Sequence, residues 1–425
     1  MLIQFSVKNF LSFKDLTTFD MTATSKNEIE ENILSIENVK LLKSAVFYGA
    51  NASGKTNFLN ALSYMRDVVL FSFNKECILN IKPFALCEDS TKNPSSFEVV
   101  FITPDNKKYI YGFEIYNKEI NKEYLFEYNL EANKIKPKMI FTRERKILLD
   151  KKNEEIKGYH YEFNHILKKD FEEIVTKTRN NALFLNVAQQ FNNEIADKIM
   201  NWFRKLIYTR TTTKYNTAKR IYNDEKFKNM LISFLQNIDI SIVDIIVEKE
   251  PIPDDFPKDL IDIFQNNSFI IKTKHKVYDK DGKNNKTSYT TFSLGMESVG
   301  TQKIIYNIFL PMVETLTNGG IFIVDELDCS LHPLITKLII KEFNSIKNTK
   351  GQLIFTTHDT NLLTSKLFRR DQIWFAEKNK KEATEIYSLA DFKVRKDASY
   401  GKDYILGKYG AIPFISSSLE DFLYE

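Results

Sequence analysis

The octapeptide Gly49-Ala50-Asn51-Ala52-Ser53-Gly54-Lys55-Thr56 restricts the possible folds of this chain more than any other segment. Its two glycines let the backbone wrap closely, so that successive N–H groups can converge on an anion. The run Ser44-Ala45-Val46-Phe47-Tyr48 leads straight into it and reads as a buried strand. Behind it, Phe58, Leu59, Ala61, Leu62, Met65, Val68 and Val69 recur at helical spacing. Strand, glycine-rich loop and helix in that order distinguish a P-loop from a chance glycine turn. Such a loop cradles nucleoside polyphosphates. Gly49, Asn51, Ala52, Ser53, Gly54, Lys55, Thr56 and Asn57 are therefore the candidate ATP contacts, with Lys55 placing its charge between the β- and γ-phosphates. The Thr56 hydroxyl is placed to ligate Mg²⁺.

With 425 residues, 43% of them hydrophobic, the chain can bury one large core or two smaller ones. A net charge of +4 from 60 basic and 56 acidic residues gives no general signal for nucleic acid, although a local basic groove can hide in that average. Cys77, Cys87 and Cys329 show neither a CxxC pair nor zinc spacing, and read as buried free thiols of a reducing compartment. No leader pattern opens the chain, and no apolar run approaches the ~18 residues of a membrane helix. A cytoplasmic protein without a membrane partner is expected.

Leu2 to Phe10 alternates apolar and polar residues as a half-buried strand does. Ser96–Phe101 and Lys108–Ile115 form a hairpin pattern around Pro104-Asp105-Asn106, and β character continues from Glu123 to Phe141. Together they predict an antiparallel subdomain. From Tyr159 to Ile207 the pattern turns helical, with Ile166, Phe171, Ile174, Ile195, Ile199 and Phe203 as core positions. Prolines 251, 253 and 257 interrupt a mixed stretch, and Phe269–Phe292 reads as a hairpin turning at Asp279-Lys280-Asp281-Gly282. Apolar strands then return at Gly320–Glu326, ending in two acids, at Gln352–His358, ending in a histidine, and at Gln372–Ala376, with a helix over Leu331–Phe343. That alternation predicts an α/β fold with a parallel sheet covered on both faces. The expected division is a first lobe at 1–150, an inserted helical and mixed region at 151–290, and a second lobe at 291–425.

Ligands of such sheets sit at the carboxyl ends of the strands. Asp325 and Glu326 end one strand: Asp325 is placed to hold Mg²⁺, and Glu326 to orient and polarise an attacking water. His358 ends the next, where it can donate to a γ-phosphate. Ser298 opens a helix with Gly300 behind it, which fits both a plain N-cap and an anion site.

The order P-loop, Ser-x-Gly helix start, Asp-Glu followed by Leu327-Asp328-Cys329-Ser330-Leu331-His332-Pro333, then a strand-end histidine, resembles ABC-type ATPases. The long separation of Lys55 from Asp325 resembles the split heads of the SMC and RecF group. Phe5 to Lys14, Arg370 to Lys378 and Gly407 to Pro413 look like the bacterial RloA and AbiL-type ATPases. This resemblance implies Walker A at Gly49–Thr56, Walker B at Asp325 and Glu326, the D-loop at Asp328 and the switch histidine at His358. Ser298 and Gly300 become the signature that reaches the ATP of a second subunit, although Glu297 and Val299 depart from the transporter form Leu-Ser-Gly-Gly-Gln. Gln189 or Gln190 is the candidate Q-loop glutamine. Implied partners are a second copy of the chain, or a higher homo-oligomer, closing on sandwiched ATP, and a separate TOPRIM-like effector nuclease. The implied role is an antiphage (abortive infection) switch, triggered by DNA or a phage protein.

A rival is a RecF- or SMC-like repair or chromosome-maintenance ATPase that clamps DNA, for which Lys134, Lys136, Lys138, Arg143, Arg145 and Lys146 form a local basic stretch. Too little chain follows His358 for a fused TOPRIM nuclease. The acidic-aromatic tail Ser418–Glu425 is expected to dock on the core. Asp279–Gly282 lacks the glycine and glutamate positions of a calcium loop, and His160, His165 and His275 have no ligand-spaced partners.

Overall fold

The computed structural model describes residues 1–25, 28–74, 79–129, 137–149, 155–165, 168–209, 214–252, 268–280, 284–395 and 398–413. In chain order the first strands are β1 (Leu2–Lys8), β2 (Thr17–Asp20), β3 (Ile33–Ile36), β4 (Val39–Leu42) and β5 (Ser44–Tyr48), followed by helix α1 (Lys55–Phe71) and the short α2 (Glu88–Thr91). Five long strands follow: β6 (Ser95–Ile102), β7 (Lys107–Tyr116), β8 (Glu119–Asn129), β9 (Lys138–Leu149) and β10 (Glu155–Phe163). Then come α3 (Lys168–Val175), α4 (Phe184–Gln190), α5 (Glu194–Arg204), β11 (Leu206–Tyr208), α6 (Lys214–Asn223), α7 (Glu225–Asn237), β12 (Asp244–Lys249), β13 (Phe269–Tyr278) and β14 (Asn284–Ser293). Helix α8 (Val299–Lys303) runs through a π-turn at Ile304–Ile308 into α9 (Phe309–Asn318). The chain continues with β15 (Gly320–Val324), α10 (Pro333–Asn344), β16 (Gly351–Thr356), β17 (Ile373–Lys378), β18 (Thr384–Ser388) and α11 (Tyr400–Ile405).

Two sheets dominate. One is antiparallel, in the order β10-β9-β8-β7-β6-β1-β2; the other runs β11-β15-β16-β5-β17-β18, parallel except for β18. β12-β13-β14 and β3-β4 form two small antiparallel sheets. The expected mixed α/β fold, with a parallel sheet beside an antiparallel subdomain, is the observed one. Every residue of β5 is buried, and its side chains divide between two cores because successive residues of a strand point to opposite faces. Ala45 and Phe47 join α1 and the antiparallel sheet, while Val46 and Tyr48 join α6, α7, α9 and α10. All seven apolar positions predicted for α1 are buried, so this helix is the filling between the two sheets. Rings of Phe5, Phe13, Phe19 and Phe47 surround Phe58 at centroid distances of 4.7–6.3 Å.

One side chain ties the sheets together. The Gln352 carboxamide in β16 accepts from Leu2 N–H (2.7 Å) and donates to the carbonyls of Leu2 and Leu42 (both 3.1 Å). It is fully buried, and it supplies hydrogen bonds that neither sheet can provide where β1 passes β16.

Several expectations need correction. Tyr159–Phe163 is not helical: it lies in β10, antiparallel to β9, with Phe163 opposite Phe141. Tyr159, Tyr161 and Phe163 alternate with period two, and that alternation outweighs the helical pattern, which starts at α3. A boundary at 150 therefore cuts the β9–β10 hairpin, and one at 290 falls inside β14. Arg143 does not belong to a basic surface. It is fully buried, 3.7 Å from the Glu123 carboxylate, with its guanidinium 4.0 Å from the Tyr159 ring centre. Glu123 in turn accepts from the N–H groups of Phe184 and Leu185 (2.6 and 2.9 Å), capping α4. Arg145 and Lys146 pair with Glu119 and Glu144. Cys329 is exposed rather than buried, because it sits where the chain turns out beyond β15, and Cys87 is partly exposed. Cys77, Lys134, Lys136, Ile166, Pro253, Pro257, Asp281, Gly282 and the tail Ser418–Glu425 lie outside the described residues.

Replacing Gln352 by Leu strands the Leu2 N–H and two carbonyls in the core. Since each buried orphan costs ~1–3 kcal/mol, the variant is expected to lose about 3 kcal/mol of unfolding free energy in urea titration. A loss under about 0.5 kcal/mol would show that the bridge is dispensable.

Candidate functional site

The loop between β5 and α1 keeps an arched shape through positive φ angles at Gly49 (155°), Ala52 (60°) and Gly54 (111°). Gly54 is required twice over, by its φ and by its neighbour: a Cβ there would lie 2.1 Å from Thr384 Oγ1. A Cβ on Gly49 would stand 2.4 Å from the Ala376 carbonyl. The loop is braced from outside. Thr384 Oγ1 donates to the Ser53 carbonyl (2.9 Å) and lies 2.8 Å from Ser12 Oγ, and Asn57 Nδ2 donates to Ser12 Oγ (2.8 Å). Neither Ser12 nor Thr384 stands out in the sequence, because each reaches the loop only through the tertiary fold.

Lys55 is 6% exposed. Its ammonium folds back onto the loop, donating to the carbonyls of Gly49 (2.8 Å) and Ala50 (3.0 Å). Burial pushes its pKa down, opposed by the carboxylates of Asp325, Glu326 and Asp328. Thr56 Oγ1 donates to both carboxylate oxygens of Asp325 (3.2 and 3.0 Å). From the neighbouring strand Thr356 Oγ1 donates to Asp325 Oδ1 (2.7 Å) and accepts from Glu326 N–H (2.7 Å). Glu326 itself has a left-handed backbone, φ 50°.

A cavity of about 400 Å³ gathers Ser12, Asn51 to Asn57, Asp325, Glu326, Thr356, His358 and Lys378. His358 thus joins the P-loop and the two acids. Burial, then the Lys55 charge, lowers its pKa, against the pull of Asp328, Glu326 and Asp325. Gly49 lies outside this cavity, on a wider neighbouring one of about 800 Å³ that also holds Tyr48, His358, Tyr404 and Ile412.

The structure does not bring the other expected residues into the cavity. Ser298 caps α8 through Thr301 N–H (3.2 Å), and Gly300 packs so closely that a Cβ would meet the Ser330 carbonyl at 2.4 Å. Lys303, unmarked in the sequence, donates to the carbonyls of Glu326 (2.8 Å), Leu327 (3.3 Å) and Cys329 (2.9 Å), fastening α8 to the loop after β15. Asp328 stands behind His358, whose N–H approaches its Oδ2 at 3.4 Å. Gln189 is not at the site: it lies on α4 and donates to Asp197 (3.4 Å), and Gln190 donates to Gln189 (2.7 Å).

Three observations fit a magnesium–polyphosphate group. The Ser53 hydroxyl is buried without a partner among the described residues. The glycine arch presents backbone N–H groups where side chains would otherwise intrude. Lys55 faces carbonyls that a phosphate oxygen can replace with a stronger, charge-assisted bond. No three His, Cys, Asp or Glu side chains form a metal cage among the described residues. A Mg²⁺ ion here would rest on Thr56, Asp325 and the nucleotide's own oxygens.

Fold and site together define a P-loop ATPase-type domain. The chain belongs to the family described as "AAA domain, putative AbiEii toxin, Type IV TA system", whose profile matches residues 44–364. Families of this kind bind and hydrolyse nucleotides at the P-loop. No curated protein matches the chain in sequence. Among solved structures, the SMC head domain from Thermotoga maritima is similar at 11% identity and a TM-score of 0.36, over 91% of this chain and 98% of that one. An Smc head bound to the C-winged helix domain of ScpA is similar at 11% and 0.38, over 91% and 97%. An Smc head with an extended coiled coil, bound to the C-terminal domain of ScpA derived from Pyrococcus furiosus, is similar at 10% and 0.39, over 91% and 96%.

Gly54→Ala forces both a left-handed alanine and the Thr384 clash. It is expected to cost about 2–4 kcal/mol, read as a fall in unfolding midpoint. Gly295→Ala, whose Cβ would approach nothing nearer than 3.8 Å, is the control and should stay within ~0.5 kcal/mol of the parent.

Proposed function

We propose that this chain is a Mg²⁺-dependent ATPase that works as the switch subunit of a bacterial antiphage system, controlling a separate effector nuclease from the cytoplasm. The observation that carries the ATPase part is the convergence of Lys55, Thr56, Asp325, Glu326 and His358 on one cavity at the strand ends. Gly49 to Asn57 hold the phosphates, and Thr56 and Asp325 hold the cation. Glu326 acts as the base that orients water. His358 donates to the γ-phosphate, and Asp328 accepts from the backbone N–H of His358 behind it. Mg²⁺ bound with ATP would neutralise phosphate charge, while these side chains position the groups that react.

Ser298 and Gly300 stand outside their own protomer's cavity, on a helix end whose neighbours Met296 and Val299 are 71% and 68% exposed. That placement supports a role in trans, at the ATP of a second copy, so that two heads enclose two nucleotides. Among the described residues, no helix is long and apolar enough to cross a membrane. The family description, which names a toxin and a toxin–antitoxin system, supports a defence setting. A population shift between open and closed heads would then hold or release the effector. We divide the chain accordingly into a first lobe with the P-loop and antiparallel sheet, an inserted region, and a second lobe with Ser298, Asp325, Glu326 and His358. The burial of Arg143 removes one residue from the basic stretch on which direct DNA clamping would depend, and Arg145 and Lys146 pair with Glu119 and Glu144.

Purified protein is expected to hydrolyse ATP only with Mg²⁺. Glu326→Gln should lower turnover ~10²–10⁴-fold, the usual worth of a general base, while still binding ATP. In analytical ultracentrifugation with ATP and Mg²⁺, Glu326→Gln should sediment as a dimer or larger, and without ATP as a smaller species. An unchanged sedimentation coefficient would rule out the sandwich. Co-expression with a TOPRIM-like nuclease encoded alongside the chain should give an ATP-sensitive complex.

A further inference from the structure

One hydroxyl in the cavity is bonded to both acids. Thr356, the last residue of β16, is fully buried and pairs with Phe47 of β5 in the sheet. Its Oγ1 donates to Asp325 Oδ1 (2.7 Å) and accepts the Glu326 N–H (2.7 Å). Its carbonyl accepts the Leu327 N–H (3.0 Å). Both faces of the turn that carries the two acids are thus fixed from one residue.

Glu326 needs that support. Its φ of 50° is a conformation that non-glycine residues adopt only when their surroundings enforce it. The hydrogen bond from its N–H and the Lys303 bond to its carbonyl (2.8 Å) hold the peptide units on either side. Asp325 accepts from two hydroxyls, those of Thr56 and Thr356. Thr56 is also the residue placed to ligate Mg²⁺ through its hydroxyl oxygen, whereas the Thr356 hydroxyl is bound to both acids of the turn. We infer that Thr356 is a positioning residue of the ATPase site: its single hydroxyl sets the direction of the Asp325 carboxylate and the backbone of Glu326 together. The inference rests on the nucleotide reading above and adds to it a residue that links the second acidic strand end to its neighbour.

Thr356→Val keeps the volume and the β-branch but removes the hydroxyl; Thr356→Ser keeps the hydroxyl. In nucleotide-free protein, hydrogen–deuterium exchange at the Glu326 amide should be roughly tenfold faster in Thr356→Val, the loss of about one buried hydrogen bond. Thr356→Ser should match the parent. In turnover assays, Thr356→Val should lose ~10-fold or more in kcat, with the KM for ATP within about threefold. It should also need more Mg²⁺ for half-maximal rate, and Thr356→Ser should restore both values. Melting curves establish that each variant is folded. Should Thr356→Val not fold, Thr356→Cys, with only a weak hydrogen-bonding group, carries the same comparison. Parental exchange and turnover in the hydroxyl-free variant, or equal impairment in Thr356→Ser, would overturn the inference. The exchange arm contains no nucleotide, so it fails only with the Thr356 inference; a parent protein that neither binds nor hydrolyses ATP fails the nucleotide reading instead.

Discussion

A buried ammonium must be compensated, and the molecule is organised around the compensation of Lys55. The side chain enters a loop of glycines and small residues at the end of a fully buried strand, where it is largely withdrawn from water. Two loop carbonyls receive its protons, and the carboxylates of Asp325, Glu326 and Asp328 oppose the depression of its pKa. Those acids are near because β15 is drawn into the parallel sheet next to β16, which lies beside β5. The sheet holds that order because α1 packs one face against the antiparallel lobe and α9 and α10 cover the other. A polyphosphate offers Lys55 a better partner than neutral carbonyls, so the same constraint that shapes the loop also defines its ligand.

The second layer of the site is made of hydroxyls and amides rather than charges. Ser12 and Thr384 fix the outside of the glycine arch, and Thr356 joins the two acids. Lys303 binds α8 to the carbonyls after Glu326. In the proposed sandwich of two heads, this last contact would join the start of α8 to the loop that carries Glu326. Bonds of this kind are worth about 1 kcal/mol each, yet they decide direction, and catalysis depends on direction.

How much of this is visible in the sequence depends on whether a signal is local. The P-loop is contiguous, and its strand and helix flank it directly, so Gly49 to Thr56 and the buried stripe of α1 can be read without a structure. Asp325, Glu326 and His358 are legible because each ends an apolar run, and strand ends are where α/β sheets bind ligands. Ser12, Thr356, Thr384 and Lys303 are ordinary residues whose meaning comes from partners tens to hundreds of positions away. Gln189 shows the opposite failure: a glutamine on a helix carries no local mark of its surroundings, and Asp197 proves to be its partner. Tyr159 to Phe163 was open to misreading because aromatic residues two apart fit a strand and, over so few positions, one turn of helix as well.

The most direct measurement of the central claim is calorimetric titration of ATP into the parent chain and into Lys55→Met, each with and without Mg²⁺. One nucleotide per parent chain is expected, tightened by Mg²⁺. With an apolar side chain in place of the ammonium, affinity should fall ~100-fold or more, the equivalent of at least ~2.7 kcal/mol. Equal affinity in the two proteins would contradict that claim, because the buried charge would then not be what the ligand answers.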